Sequence, residues 1–226
     1  MKKGVLLVGN GSSNWIGGLY YIKNIAFVLS QNIHTLSDYS IYILTVQKHK
    51  CIFEDLPDCI QVSVIPNIFE NVSHVYRVIF AKIHNIKYIF PCATHLKPII
   101  GVRGISWIPD FQHNHLTQMY TEEERQNRIA SSARIVDNGN PLVLSSHDCR
   151  NDLTKYYTAD KNNIYVVPFV SFIKNEIRGL TFEYERAVLE KYDLQDTKYI
   201  YIANQFWQHK NHIVVLEAVK RLAKQD

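Results

Sequence analysis

The sequence predicts an α/β protein built on a doubly wound, mostly parallel sheet. Short apolar runs alternate with amphipathic segments along most of the 226 residues, the order that gives strands crossed over by helices. Several runs are apolar at consecutive positions, as strands covered on both faces are. A glycine-bearing turn, GNGSSNWIGG from Gly9, joins the first run to the first amphipathic segment, and such turns often hold a phosphate.

The elements follow in order. Strands are predicted at 5–8 (VLLV), 41–46 (IYILTV), 60–65 (IQVSVI), 88–90 (YIF), 104–108 (GISWI), 142–144 (LVL), 164–167 (IYVV) and 199–202 (YIYI). Most are rich in β-branched or aromatic residues and bounded by turn formers. Helices are predicted at 19–29, 72–83, 122–135, 148–156, 182–191 and 211–224. The first shows the reason: Leu19, Ile22, Ile25, Ala26 and Leu29 fall on one 3.6-residue stripe. Pro168 closes the seventh strand. Residues 1–172 therefore read as one doubly wound domain. Residues 173–226 read as a connector and the first βα unit of a second, incomplete domain. One βα unit cannot bury both its apolar faces.

Bulk composition narrows the classes. Hydrophobic residues are 46% and charged residues 20%, enough for a core and against disorder. The charge of +4 is too mild to imply nucleic acid, but it suits an anionic ligand or permits contact with an anionic membrane surface. Cys51, Cys59, Cys92 and Cys149 form no C-x-x-C pair, which fits a reduced, cytoplasmic compartment. No apolar run is long enough for a signal peptide or a membrane span.

The opening turn fails the dinucleotide fingerprint. Gly9 and Gly11 supply two glycines, but position 14 is Asn14, and the second strand runs into Gln47, Lys48 and His49 with no acidic residue. No Gly-Lys-Ser/Thr of a P-loop is present. Gly17 and Gly18 stand instead where the helix begins. Either they admit a ligand to the free amides of the helix end, or they serve a turn.

Three further strings, with that GG, carry a resemblance: ISWIPDFQHNHLTQMYTEEERQNR from Ile105, LVLSSHDCRNDLTKYY with NIYVVPF, and YIYIANQFWQHKNHIVVLEAVKRL. Over nearly its whole length the chain resembles bacterial glycosyltransferases of the GT-B fold, in the large retaining family numbered four, of the kind that builds capsular and lipopolysaccharide chains. The resemblance implies two Rossmann-like domains facing a cleft, the first taking the acceptor and the second the nucleotide-sugar. It implies transfer of a sugar to a glycan or lipid-linked acceptor hydroxyl with retention. No metal or other cofactor is expected, and the location is cytoplasmic, at the inner membrane face where the acceptor is lipid-linked.

The resemblance places Gly17 and Gly18 against the donor diphosphate or sugar. Asp110 follows a strand end and would hold the acceptor hydroxyl or offset charge on the sugar ring; a turn aspartate capping amides is the plain alternative. His113 would orient a hydroxyl or exchange a proton, against a structural role that His115 shares. Lys210 falls on the family's diphosphate-binding lysine, against a solvated surface lysine. Asn204 and Gln205 occupy the place where many relatives carry arginine, and amides supply hydrogen bonds without charge. Neither H-x-H nor H-x-x-H spacing finds a third metal ligand. Ser145 and Ser146 read as a helix cap, Asp152 as structural, and Glu122–Glu124 with Arg125 and Arg128 as a solvated face. Phe206 and Trp207 would frame a ring or pack against a neighbour.

The family's donor domain continues well past such a lysine and carries an E-x7-E pair that these residues do not include. The chain alone is therefore expected to transfer little sugar. A non-catalytic remnant or binding module completed by another chain is the alternative, with a GT-B-shaped sugar-nucleotide epimerase behind it. Exposed Val214, Val215, Leu216 and Val219 would favour dimerisation or a partner.

Overall fold

The computed structural model describes residues 2–9, 16–92, 101–171 and 179–224, and side chains throughout these except at 70–72. Gly11, Asn14 and most of the connector after Ser171 lie outside the described residues. The chain divides into two compact units, Met1–Phe172 and Ile173–Asp226.

In the first unit, five parallel strands run in the order β3-β2-β1-β4-β5: β1 (Lys3–Gly9), β2 (Tyr39–Thr45), β3 (Ile60–Val64), β4 (Ile86–Phe90) and β5 (Arg103–Gly104). Three more parallel strands form a second ladder, β6 (Ser106–Ile108), β7 (Leu142–Leu144) and β8 (Ile164–Val166). The fold is thus the α/β, doubly wound parallel architecture. Side chains alternate as strands require. Leu7, Ile41 and Ile43 pack into one cluster with Leu19, Ile22 and Ala26 of α1 (Ile16–Gln31). Leu6, Val8, Tyr42 and Leu44 point the other way and pack with Phe80 and Ala81 of α2 (Ser73–Ile83). Both faces are buried, which is why VLLV and IYIL carry no polar position.

The run expected as one strand at 104–108 is split between the two ladders. Ile105 still donates its N–H to Ile89 O at 2.8 Å and accepts from Cys92 N–H at 2.7 Å, while Ser106 N–H turns to Pro141 O at 2.8 Å. One extended segment therefore serves β4 with its first half and β7 with its second. Gly104 lies at the change-over. A Cβ there would come 2.7 Å from Cys92 Sγ and 3.0 Å from Asn140 Nδ2, so only glycine lets the segments close up.

The last ladder carries its own core. Ile108, Phe111, Leu142, Leu144, Cys149 and Leu153 pack together beneath α4 (Glu122–Asp137) and α5 (His147–Tyr156). Between β6 and α4 lies a four-residue helix, α3 (Gln112–His115).

The second unit holds α6 (Phe182–Lys191), a 3-10 turn Gln208–Lys210, and α7 (His212–Leu222). Residues 199–202 form no strand among the described residues, contrary to the expected βα unit. A strand exists by pairing, and aromatic, β-branched composition cannot supply a neighbour. Neither helix has a buried residue. Ile213, Val214, Leu216 and Val219 are exposed, and Phe206 is 93% exposed. Among the described residues no helix is long and apolar enough to cross a membrane.

Candidate functional site

Ligands of such sheets sit beyond the carboxyl ends of the strands. The strand order reverses between β1 and β4, but the segments leaving them, 10–15 and 93–100, are outside the described residues. The carboxyl ends of β6 and β7 are described, and there the chemistry gathers.

After Ile108 the chain turns through Pro109 and Asp110. Asp110 is exposed, and its Oδ1 accepts the Gln112 N–H at 3.1 Å. The carboxylate thus shapes the turn, which is the plain alternative raised by Pro-Asp. Among the described residues no other group bonds it. Phe111 then drops into the core, 1% exposed, and fixes where α3 starts. His113 consequently faces inward: it is 3% exposed, and its Nε2 is buried with no hydrogen-bond partner among the described residues. Burial is the main cause that lowers its pKa from 6.5. Arg128 is next, with Arg125 and His115 in the same sense, and Asp110 opposes them. His113 is therefore held neutral at neutral pH, with an unused ring nitrogen, beside a carboxylate. Such a group can accept or donate a hydrogen bond to a hydroxyl.

His115 behaves differently. Its Nε2 lies 2.7 Å from Asp152 Oδ2 on α5. Composition and spacing had not linked these residues. They are 37 apart and meet only because β6 and β7 are parallel neighbours. α5 itself is well fixed. Ser146 caps it by accepting the Cys149 N–H at 2.9 Å, as expected. Burial, with Asp110 next, pushes the Cys149 thiol up to about 12, so the thiol is no nucleophile. Ser145, by contrast, is buried and accepts the Trp107 indole N–H at 3.0 Å.

On α4, Thr121 and Glu124 form a reciprocal capping box, and Glu122 pairs with Arg125 at 2.8 Å. Arg128 instead lies over the Tyr120 ring, 4.9 Å from its centroid.

Gly17 and Gly18 are the second and third residues of α1, the first exposed and the second buried. In the second unit Asn204, Gln205 and Lys210 are all exposed. Lys210 belongs to the 3-10 turn, not to the start of α7. Asn211, in a left-handed conformation, separates them. Gln205 Oε1 accepts the Trp207 indole N–H, so the amide oxygen is engaged and the NH2 is left as its donor. Among the described residues no group of three His, Cys, Asp or Glu side chains could hold a metal ion.

A pH effect follows from this geometry. Burial, with Lys48 second, also lowers the pKa of His49, whose Nδ1 is buried and unpartnered. Both imidazoles bind protons less readily folded than unfolded. The unfolded chain therefore takes up more protons below about pH 6.5. Stability is fully present above that pH and is lost as pH falls towards the lowered folded values. Urea midpoints at pH 7.5 and 5.5 should show the lower value at pH 5.5, and a flat profile would contradict the burial of these rings.

No protein-family model matches the chain, and no curated protein does. Among solved structures it is similar to a glycosyltransferase from Rickettsia africae, with a TM-score of 0.61 and 15% identity over 100% of this chain. The chain spans 59% of that protein's length. Arabidopsis thaliana UGT89C1 complexed with quercetin matches with a TM-score of 0.46, at 15% identity over 84% of this chain and 56% of that one. At these identities the likeness is one of fold: a Rossmann-like α/β architecture of the GT-B kind.

Proposed function

We propose that the protein is the acceptor-side portion of a glycosyltransferase. In this reading the whole protein moves a sugar from a nucleoside diphosphate donor to a glycan or lipid-linked hydroxyl, with retention, in bacterial surface polysaccharide synthesis on the cytoplasmic side of the membrane. One observation carries it. His113 presents a buried, unpartnered Nε2 beside the Asp110 turn, beyond the carboxyl end of β6, on a fold also found in a glycosyltransferase.

The chemistry follows from the groups. The neutral imidazole orients the acceptor hydroxyl and shares its proton. The Asp110 carboxylate holds that hydroxyl or offsets positive charge growing on the sugar ring. Gly17 and Gly18 leave the start of α1 without Cβ atoms, so a diphosphate can approach backbone amides. Lys210 supplies a compact charge for a diphosphate, with Asn204 and Gln205 adding neutral hydrogen bonds. No step requires a metal. A second reading, a binding module completed by another chain, is favoured by the absence of buried residues in the two described helices of the second unit.

Calorimetric titration with UDP and with GDP tests the assignment. One of them should bind, and Lys210→Ala should weaken it about tenfold, the worth of one charge-assisted hydrogen bond. If neither nucleotide binds the native protein, the second reading takes over.

A further inference from the structure

We propose that His115 and Asp152 form a clasp that positions the His113 imidazole, making them positioning residues of the acceptor site. The geometry of the clasp stands by itself; its meaning for catalysis rests on the glycosyltransferase reading above.

The argument begins with the weakness of α3. Four residues make barely one turn, and a single turn does not repay the cost of its nucleation. Something outside must hold it. At its start Phe111 is sunk in the core and Asp110 caps the Gln112 N–H. At its end the side-chain tie is His115 to Asp152. His113 lies between these two anchorages.

The imidazole itself pulls the other way. A buried polar nitrogen without a partner costs about 1–3 kcal/mol. Fraying α3 would let water reach Nε2 and remove that penalty. The observed burial therefore needs an opposing force. Asp152 supplies one. Its residue is 9% exposed, and His115 is the group that bonds it among the described residues. Opening the turn would leave a nearly buried carboxylate unpaired, which is costly in its turn. The anchor is firm: α5 is capped by Ser146, its Cys149 Sγ lies 3.7 Å from Ile108 O, and Leu153 is fully buried. A short turn is thus pinned to a rigid helix so that one ring nitrogen stays buried.

The test uses imidazole NMR on the free 226-residue protein, labelled at histidine, with the His113 signal assigned by its loss in His113→Gln. The charged groups acting on His113 are Arg125 and Arg128 from α4 and Asp110 and His115 from its own segment; Asp152 of α5 bonds His115. Removing the Asp152 charge would by itself lower the His113 titration midpoint. Releasing the turn would hydrate the ring and raise it. The clasp therefore predicts that Asp152→Ala raises the midpoint, by about half a unit or more. His115→Gln keeps an N–H for the carboxylate and should stay below His115→Ala. Those two variants remove the same imidazole, so their difference isolates the tie and serves should Asp152→Ala not fold. An unchanged or lowered midpoint in folded Asp152→Ala overturns the proposal, as does a His115→Gln midpoint equal to that of His115→Ala. Because no nucleotide is present, failure here is distinct from failure to bind UDP or GDP.

Discussion

Phe111→Ala is expected to lower the stability of the first unit by about 3–5 kcal/mol. Phe111 is 1% exposed and packs with Ile108, Leu144 and Leu153. Its ring lies 5.5 Å from that of Tyr157 and 6.0 Å from that of His113. Alanine would leave a cavity that the parallel strands beneath it cannot collapse to fill. The cost is a large share of the roughly 5–15 kcal/mol that a domain has. It would also remove the anchor that sets where α3 begins. Urea unfolding followed by circular dichroism reads the effect. A loss below about 1 kcal/mol would mean that the Asp110–His115 turn is held by something other than its phenylalanine.

His113→Leu is expected to separate stability from function. Leucine has nearly the volume of the imidazole and no unsatisfied nitrogen. The fold should be as stable as native, or more stable by about 1–2 kcal/mol, since a buried unpaired polar atom is removed. In the proposed role, sugar transfer by the whole enzyme should fall by about 10²–10⁴-fold. Urea midpoints and a labelled-sugar transfer assay read the two sides. A variant that loses stability while keeping transfer would make His113 a structural residue.

The sequence made the two-sided strands plain, because a parallel strand covered on both faces has no polar position to hide it. Helix 182–191 was also legible to its ends, where Thr181 accepts the Tyr184 N–H. The 104–108 run was misjudged for a definite reason. An apolar pentapeptide states that it is buried, not which strand each residue pairs with. The 199–202 run differs for the complementary reason: strand formers are present, and among the described residues no strand pairs with them. The 3-10 turns at Gln47–Phe53 and Asn67–Val72 have no strong periodicity to mark them. The capping box at Thr121 has a readable T-x-x-E signal. At the candidate site, the nearness of Asp110 and His113 is readable because one turn brings near neighbours together. That of His115 and Asp152 is not, since their meeting depends on β6 lying beside β7. The 3-10 turn that ends at Lys210 has no sequence signal either, because Asn211 in the left-handed region begins α7 without the usual side-chain cap.

The segment from Arg103 to Ile108 has one further consequence. Its first half completes the five-stranded ladder and its second half opens the three-stranded one, with Ile105 bonded to β4 on the way. Neither ladder can shed this segment alone, because losing it from one edge drags the peptide groups that the other edge needs. The two ladders are therefore not separate cooperative units. Their amides should gain and lose protection together, and the site turn beyond Ile108 inherits the stability of the whole sheet, not that of the short three-stranded ladder from which it springs.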